Sequence, residues 1–180
     1  GALPAVTFLA IDITHVGDAG ASALAAALGR GALPRLKILA LTNAGIGDAG
    51  LVALAPALRR LPALEQLLFP GNPLGDEGLA ALVAPPPPAG APPTTTGGLT
   101  KLKRLASLDL NDTQVSDAGC ATLASVLDKL PALKRLYLER TPASVEAKAT
   151  VGRVRLDERG GIFYVPARRN TSPLLGCTVS

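Results

Sequence analysis

The sequence has few of the residue types from which chemical sites are built. Its 180 residues include no tryptophan, no methionine, one histidine (His15) and two cysteines, Cys120 and Cys177. Zinc needs three or four ligands, and a catalytic triad or Cys-His pair would have to use His15, beside which the sequence places no nucleophile. We interpret His15 as a loop residue and Cys120 as a core residue. The sequence therefore predicts a protein that is not an enzyme and that binds no cofactor and no metal.

Long hydrophobic runs are also lacking, although apolar residues make up 48% of the chain. No uninterrupted run reaches the roughly 18 residues of a membrane span, because Asp12, Asp18 and Asp48 break the candidates. The sequence therefore predicts no transmembrane segment.

Positive charge is concentrated in one part of the chain. The net charge is +4, yet residues 1–150 carry 13 Lys/Arg against 12 Asp/Glu, whereas residues 151–180 carry five Arg against two acidic residues. A nucleic-acid-binding body needs a continuous basic face. The short cluster of Lys101, Lys103 and Arg104 has no interleaved aromatic residues. We therefore expect no nucleic-acid partner.

The sequence shows no targeting signal. It has neither an initiator methionine nor the basic start of a signal peptide, and it opens with GALP, which recurs at 31–34. Because this start lies inside a repeat, we expect a fragment of a longer chain. Because no targeting signal is visible, we expect it to be located in the cytoplasm.

Self-comparison reveals five related segments, four of which are followed by a turn similar to Gly-Asp-Ala-Gly. The segments are VTFLAIDITHV (6–16), LKILALTNAGI (36–46), LEQLLFPGNPL (64–74), LASLDLNDTQV (105–115) and LKRLYLERTPA (133–143). Their first residues are 30, 28, 41 and 28 positions apart. The longest interval contains a 13-residue insert of low complexity, PPPPAGAPPTTTG, at 85–97. Without it the period is 28 to 30 residues throughout, which indicates a repeat array.

Each segment fits the pattern L-x-x-L-x-L-x-x-N/C-x-L at most of its positions. Residues 3–147 therefore resemble leucine-rich repeats, and the period and following helix resemble the ribonuclease-inhibitor-like subclass. The resemblance implies an α/β solenoid, a right-handed β-α superhelix with a parallel sheet on its concave face and helices on its convex face. The Asn position of the pattern holds Thr14, Ala44, Asn72, Thr113 and Thr141 in turn. The second repeat departs furthest, because Ala44 has no hydrogen-bonding side chain.

The aspartates of the Gly-Asp-Ala-Gly-like turns are predicted to be helix N-caps. Apolar residues follow each of them by 3 and 6 positions, a spacing that lines one face of a helix. A carboxylate there accepts hydrogen bonds from the free N–H groups of the helix it precedes, while the glycines permit a tight exit from the strand. One Asp per repeat does not converge on a metal ion. The four residues are Asp18, Asp48, Asp76 and Asp117.

The resemblance also implies a function, since proteins of this family commonly bind other proteins on the concave face. We therefore expect a non-catalytic interaction module whose partner is another protein. The C-terminal half of the face offers the side chains best suited to binding, because Tyr and Arg are frequent hot spots of interfaces. The partner-binding candidates are Asp109, Asn111, Asp112, Tyr137, Glu139 and Arg140.

The insert and the C-terminal region leave alternatives open. The insert contains a Pro-x-x-Pro match at Pro85 and Pro88, so it is either an extruded loop or a polyproline ligand. Residues 148–180 are either a disordered basic tail or, in part, a hairpin that turns at 160–161 and caps the array. The side chains expected to cap it are Ile162, Phe163 and Val165.

Cys177 provides a functional alternative, a lipid-anchored adaptor. Residues 177–180 match a C-a-a-X farnesylation signal, and Arg168 and Arg169 would help to hold an anionic membrane. Membrane contact is expected only if Cys177 is lipidated. A further alternative is a regulator resembling the Ran GTPase-activating proteins, which would need a positioned Arg on a loop.

Overall fold

A computed structural model describes residues 5–13, 15–83, 103–156 and 162–166. Strands and helices alternate along them, as the repeat pattern predicts. The strands are β1 (Phe8–Asp12), β2 (Ile38–Thr42), β3 (Gln66–Leu68), β4 (Ser107–Asp109), β5 (Arg135–Tyr137), β6 (Gly152–Leu156) and β7 (Ile162–Pro166). The helices are α1 (Gly17–Gly29), α2 (Asp48–Leu58), α3 (Asp76–Val83), α4 (Asp117–Ala124) and α5 (Val145–Val151), with a short 3-10 helix at Leu127–Lys129.

The strands of the described residues form one sheet in the order β1-β2-β3-β4-β5-β7-β6. The first five strands are parallel, so each repeat adds one strand and continues through its helix. β3 and β4 pair directly, with Leu67 opposite Leu108, although the insert at 85–97 separates them along the chain. The insert therefore breaks no strand pairing, and its own residues lie outside the described part of the chain. The predicted α/β repeat solenoid is confirmed.

Leucines at the pattern positions form the core between the sheet and the helices. One leucine of each strand from β2 to β5, aligned by the strand register, is fully buried, and burial of such a side chain contributes about 1.5–3 kcal/mol. These residues are Leu39, Leu67, Leu108 and Leu136. Consecutive helices pack on one another from α1 to α5 and supply the opposite wall, for example with Leu51 and Leu54. The core is thus shared between repeats, and no repeat has a core of its own.

The aspartates of the turns do not cap the helices that they begin. The carboxylate of Asp18 accepts hydrogen bonds from the N–H groups of Gly47 and Gly50, at 2.7 and 3.0 Å, in the next repeat. The prediction that each aspartate caps its own helix is therefore wrong, because the carboxylate bonds the start of the next helix. Asp48, Asp76 and Asp117 are each the first residue of their own helix, one position later than an N-cap. Each carboxylate instead satisfies the helix start one repeat further along the chain.

The residue that donates to each aspartate is a glycine or a serine at the start of the next helix, and the choice changes the bonding. Where Gly75 precedes α3, Asp48 Oδ1 bonds directly to the N–H groups of Gly75 and Gly78, at 2.6 and 2.9 Å. Where Ser116 precedes α4, Asp76 binds both its N–H and its hydroxyl. The serine oxygen in turn accepts from the N–H of Ala118. Ser144 receives Asp117 in the same way. Glycine thus leaves room for the carboxylate. Serine instead donates its hydroxyl to the carboxylate and accepts from a free N–H of its own helix.

The second glycine of the turn is required by the close approach of this carboxylate. A Cβ added to Gly78 would lie 2.7 Å from Asp48 Oδ1, and one added to Gly50 would lie 2.6 Å from Asp18 Oδ1. The glycines thus serve contact between repeats rather than only the exit from the strand. In the fifth repeat Val145 stands at the Asp position and is 79% exposed. The series of carboxylate contacts therefore stops at α5.

Asn72 supplies the hydrogen bonds that Ala44 cannot make. Its side chain is buried, and its Oδ1 accepts from the N–H groups of Ala44 and Ile46 at 3.1 and 3.0 Å. Its Nδ2 donates to the carbonyls of Leu41 and Phe69 at 2.6 and 3.0 Å. The loop of the second repeat is therefore satisfied from the third repeat, which explains how alanine is tolerated there.

The hairpin of β6 and β7 extends the sheet beyond β5. β7 lies antiparallel to β5, with Tyr164 opposite Leu136, and β6 is outermost in the sheet. Because directly opposite residues share one face of a sheet, Tyr164 joins Leu136 in the core and is buried. The expectation that Phe163 and Val165 close the core is therefore wrong, since alternation turns both to the other face. The turn between β6 and β7 lies outside the described residues.

We expect Asp48→Ala to lower the free energy of unfolding by about 2 kcal/mol, because two N–H groups of the next repeat lose a charged acceptor. Amide exchange measured by NMR should show lost protection at Gly75 and Gly78, and little change at the start of α2. Glu77→Ala is the matched control, since this exposed carboxylate in the first turn of α3 contributes about 0.5 kcal/mol at most. Lost protection confined to α2 would contradict the assigned direction of the contact.

Asn72→Ala is expected to lower the free energy of unfolding by about 3 kcal/mol, because two buried N–H groups and two carbonyls lose their partner together. Thr113→Val provides the comparison. The buried Thr113 hydroxyl makes one bond, to the Leu110 carbonyl at 2.7 Å, and its loss should amount to about 1 kcal/mol. Urea unfolding followed by circular dichroism measures both. Equal losses would show that Asn72 does not bridge the two repeats.

Candidate functional site

The concave face is the sheet surface that points away from the helices. It consists of the residues that alternate with the buried leucines, and the strand register aligns them in columns. One column, which contains the candidates Asp109 and Tyr137, consists of Ala10, Ala40, Leu68, Asp109 and Tyr137. A neighbouring column, which was not predicted, is Phe8, Ile38, Gln66, Ser107 and Arg135. Alternation alone would have found it, because its members stand two positions before those of the first column.

One residue of the loop after each parallel strand has left-handed backbone in all five repeats, one position after β1 and β2 and three positions after β3, β4 and β5. The residues are Ile13, Asn43, Gly71, Asp112 and Arg140, with φ between 48° and 71°. Asn, Asp and Gly adopt this conformation most readily, whereas Ile13 is strained by it. The shared turn sets the side chains of consecutive repeats side by side, and a Cβ on Gly71 would collide with Asn43. The candidates Asp112 and Arg140 are neighbours for the same reason.

Asp112 binds Arg140 through two hydrogen bonds. Arg140 Nε donates to Oδ1 at 2.5 Å and Nη2 donates to Oδ2 at 2.6 Å, while a carboxylate oxygen of Glu139 lies 3.7 Å from Nη1. This hydrogen bonding lowers the pKa of Asp112 and raises the pKa of Arg140. Because both side chains are exposed, the pair adds little stability. It does hold three charged groups in a fixed arrangement on the surface.

Asp109 and Asn111 are tied to the strand backbone. Asn111 Oδ1 accepts from the N–H of Glu139 at 2.7 Å, and Asp109 Oδ1 accepts from the N–H of Asn111 at 3.0 Å. Burial raises the pKa of Asp109, and the charges of Asp112 and Glu139 raise it further against the lowering effect of the Asn111 hydrogen bond. These two candidates therefore shape the concave face and connect β4 to β5.

Tyr137 packs against an aromatic ring from the hairpin. The ring centroids of Tyr137 and Phe163 are 5.9 Å apart, with the planes inclined at 46°, a geometry that stabilises by about 0.5–1.5 kcal/mol. Both side chains are half-buried. The sequence does not predict Phe163 as part of this face, because the contact requires β7 to pair with β5.

The N-terminal half of the concave face carries exposed apolar side chains beside polar ones such as Asp12 and Gln66. Phe8 is 56% exposed and Ile13 is 79% exposed, and Ile38, Leu68 and Pro70 continue the surface toward β4 as half-buried side chains. The face therefore changes from mainly apolar at β1 to charged and aromatic at β5.

Comparison with known families identifies the repeats. A family model for the leucine-rich repeat matches residues 33–55 and 100–124. These stretches are leucine-rich repeats. The first contains β2 and most of α2, and the second contains β4 and α4. Leucine-rich repeats generally mediate protein-protein interaction and are typically non-catalytic. A comparison with curated proteins finds no match.

The histidine and the described cysteine belong to different repeats of the array. His15 is exposed just after β1, whereas Cys120 in α4 is fully buried, which confirms its interpretation as a core residue. Burial raises the pKa of the Cys120 thiol, so the thiol stays protonated at neutral pH and is a poor nucleophile. Neither residue is placed on the concave face.

The described ranges do not reach every candidate. Within those ranges, no group of three or more His, Cys, Asp or Glu could hold a metal ion, and no helix there is long and apolar enough to cross a membrane. In the basic cluster, Arg104 pairs with Glu65 at 3.3 Å, and Lys101 lies outside the described residues. Cys177 and the Pro-x-x-Pro match also lie outside them.

We expect Asp109→Asn to raise the free energy of unfolding at neutral pH by up to about 1 kcal/mol. The pKa of Asp109 in the folded state exceeds its ordinary value of 3.8. The folded state therefore holds the proton more tightly, and stability falls as the pH rises from 3.8 through the raised pKa. Urea unfolding at several pH values measures this, and the difference between variant and unaltered chain should vanish well below pH 3.8.

Asp112→Asn is the control for this prediction, because its sign is opposite. Arg140 lowers the pKa of Asp112 in the folded state, so ionised Asp112 contributes stability above its ordinary pKa of 3.8, and this contribution is lost on acidification. The variant should be slightly less stable than the unaltered chain at neutral pH. Shifts in the same direction for both variants would contradict the assigned causes.

Proposed function

We propose that this chain is a non-catalytic protein-interaction module whose partner binds the concave face. The period of 28 to 30 residues and the helix in each repeat support a ribonuclease-inhibitor-like subclass of leucine-rich repeat. In this proposal the partner binds the concave sheet surface, to which all five repeats contribute.

The composition of the concave face carries the proposal. Its N-terminal half exposes Phe8 and Ile13, apolar side chains of the kind that protein interfaces bury. Its C-terminal half presents the Tyr137–Phe163 ring pair next to the fixed charges around Arg140. Aromatic anchors bordered by charged groups are typical of the centre and rim of protein interfaces. A protein segment that lies along the sheet would contact both halves.

The GTPase-activating alternative is less well supported than simple binding. Such a role needs an arginine free to enter a partner's nucleotide site. Arg140 lies on a loop after β5, but its guanidinium is engaged by Asp112 and faces Glu139. The arrangement suits a rim charge better than a mobile catalytic finger.

Photo-crosslinking at chosen positions tests the proposed face. The amino acid p-benzoylphenylalanine would replace Phe8 or Tyr137 on the concave face, and Val52 on α2 as the matched control, since Val52 is an exposed apolar residue on the helical side. In lysate from the source cells, both concave positions should crosslink the same protein and position 52 should not. Adding Tyr137→Ala to the Phe8 crosslinker should reduce the yield several-fold. The same adduct from position 52, with none from the concave positions, would place binding on the helices and overturn the proposal.

A further inference from the structure

A pocket of about 490 Å³ lies where the last leucine-rich repeat meets the hairpin. Its apolar walls come from both the repeat and the hairpin. Two cationic side chains also line it, Arg135 on β5 and Lys134 just before that strand. The lining residues are Leu133, Lys134, Arg135, Phe163, Val165 and Pro166. Since Phe163 contacts Tyr137 on the concave face, the pocket opens on that face.

The hairpin brings two further arginines to the same surface. Arg153 lies opposite Val165, and Arg155 lies opposite Phe163. Directly opposite residues of antiparallel strands share a face, so both arginines stand on the concave side, and both are exposed. Val165 and Phe163 are thus bordered by cationic side chains of β6. This grouping follows from strand pairing and is not visible in the linear sequence.

We name this surface the basic-aromatic patch and define it by Lys134, Arg135, Arg153, Arg155, Phe163 and Val165. Within the described residues, none of its four cations takes part in an ion pair. The nearby cation Arg140, by contrast, is matched by Asp112 and Glu139. Like charges on one surface repel one another. An anionic ligand would relieve this repulsion.

We propose that the basic-aromatic patch binds an acidic segment of a protein partner. An apolar side chain of the segment enters the pocket, and flanking carboxylates bind the four cations, with arginine able to bind a carboxylate through two hydrogen bonds. The proposal rests on the concave face being a protein-binding surface, and it adds the chemistry of what binds at the C-terminal end. Charge complementarity is the observation that selects this occupant.

The surroundings of the patch favour an acidic protein segment over nucleic acid. A nucleic acid would need a basic track continuous along several phosphates. Here carboxylates interrupt the basic surface at β4, since Asp109 and Asp112 lie on and just after that strand and Arg104 before it pairs with Glu65. The aliphatic walls of Leu133, Val165 and Pro166 suit an apolar side chain. Phe163 could still stack on a base, so an oligonucleotide belongs in the test.

Fluorescence anisotropy with the full chain tests the proposal. The probes are a labelled peptide, Glu-Glu-Phe-Glu-Glu-Leu-Glu-Glu, its counterpart with Lys at every Glu, and a single-stranded RNA of eight nucleotides, at about 0.15 M ionic strength. The patch variant is Arg153→Glu/Arg155→Glu. The matched control is Arg30→Glu/Arg35→Glu, two exposed arginines between α1 and β2 that change the net charge equally. Circular dichroism confirms that both variants fold, and Phe163→Ala tests the pocket wall without altering charge.

The acidic peptide should bind best, and its Kd should rise about tenfold in the patch variant and less than twofold in the control. Phe163→Ala should also weaken the peptide. Equal weakening in both arginine variants, or no binding of the acidic peptide, would overturn the proposal. Tighter binding of the RNA would assign the patch to nucleic acid. If the peptide fails while positions 8 and 137 still crosslink a protein, the concave face remains the binding surface and only the acidic ligand is wrong.

Discussion

The contact on which the array depends is a carboxylate that reaches from one repeat to the helix start of the next. Asp18 and Asp48 each bind two N–H groups of the following repeat. Asp76 and Asp117 do the same through a serine. A helix start leaves N–H groups without partners and carries positive potential, so a carboxylate there is strongly favoured. Neighbouring repeats are thereby fixed relative to one another, as the nearest-neighbour character of repeat arrays requires.

This coupling explains how the chain accommodates an insert and an irregular repeat. The residues at 85–97 separate the third and fourth repeats, yet β3 and β4 keep their register, and Asp76 still binds Ser116 across the gap. At the second repeat, Asn72 reaches back to bond the loop around Ala44. Polar side chains thus bond between repeats, so a hydrogen bond that one repeat cannot make for itself is made by a side chain of its neighbour.

A regular backbone carries an irregular surface. The same left-handed turn recurs after each parallel strand, but the side chains presented change from apolar residues around Phe8 to charged groups around Arg140. The hairpin then adds a cationic end built around Phe163. Apolar surface supplies most of the free energy of association, whereas the charges decide which partner binds and in which direction it lies. The proposed binding on the concave face would therefore involve one elongated, asymmetric partner.

The sequence by itself determined the repeat period, the alternation of strand and helix, the buried leucines such as Leu67, and the column that contains Tyr137. These features depend on which face of its own helix or strand each residue occupies, and the periodicity of the sequence determines that face. The tertiary structure alone decided that Asp48 reaches forward, that Asn72 reaches back, and that Tyr164 faces the core. It also brought Arg153 and Arg155 beside Phe163. The physical reason is that the partners of these polar groups are backbone N–H and carbonyl groups, or strands paired in the opposite direction. Every residue carries the same backbone groups, so no sequence letter marks which of them a side chain will meet.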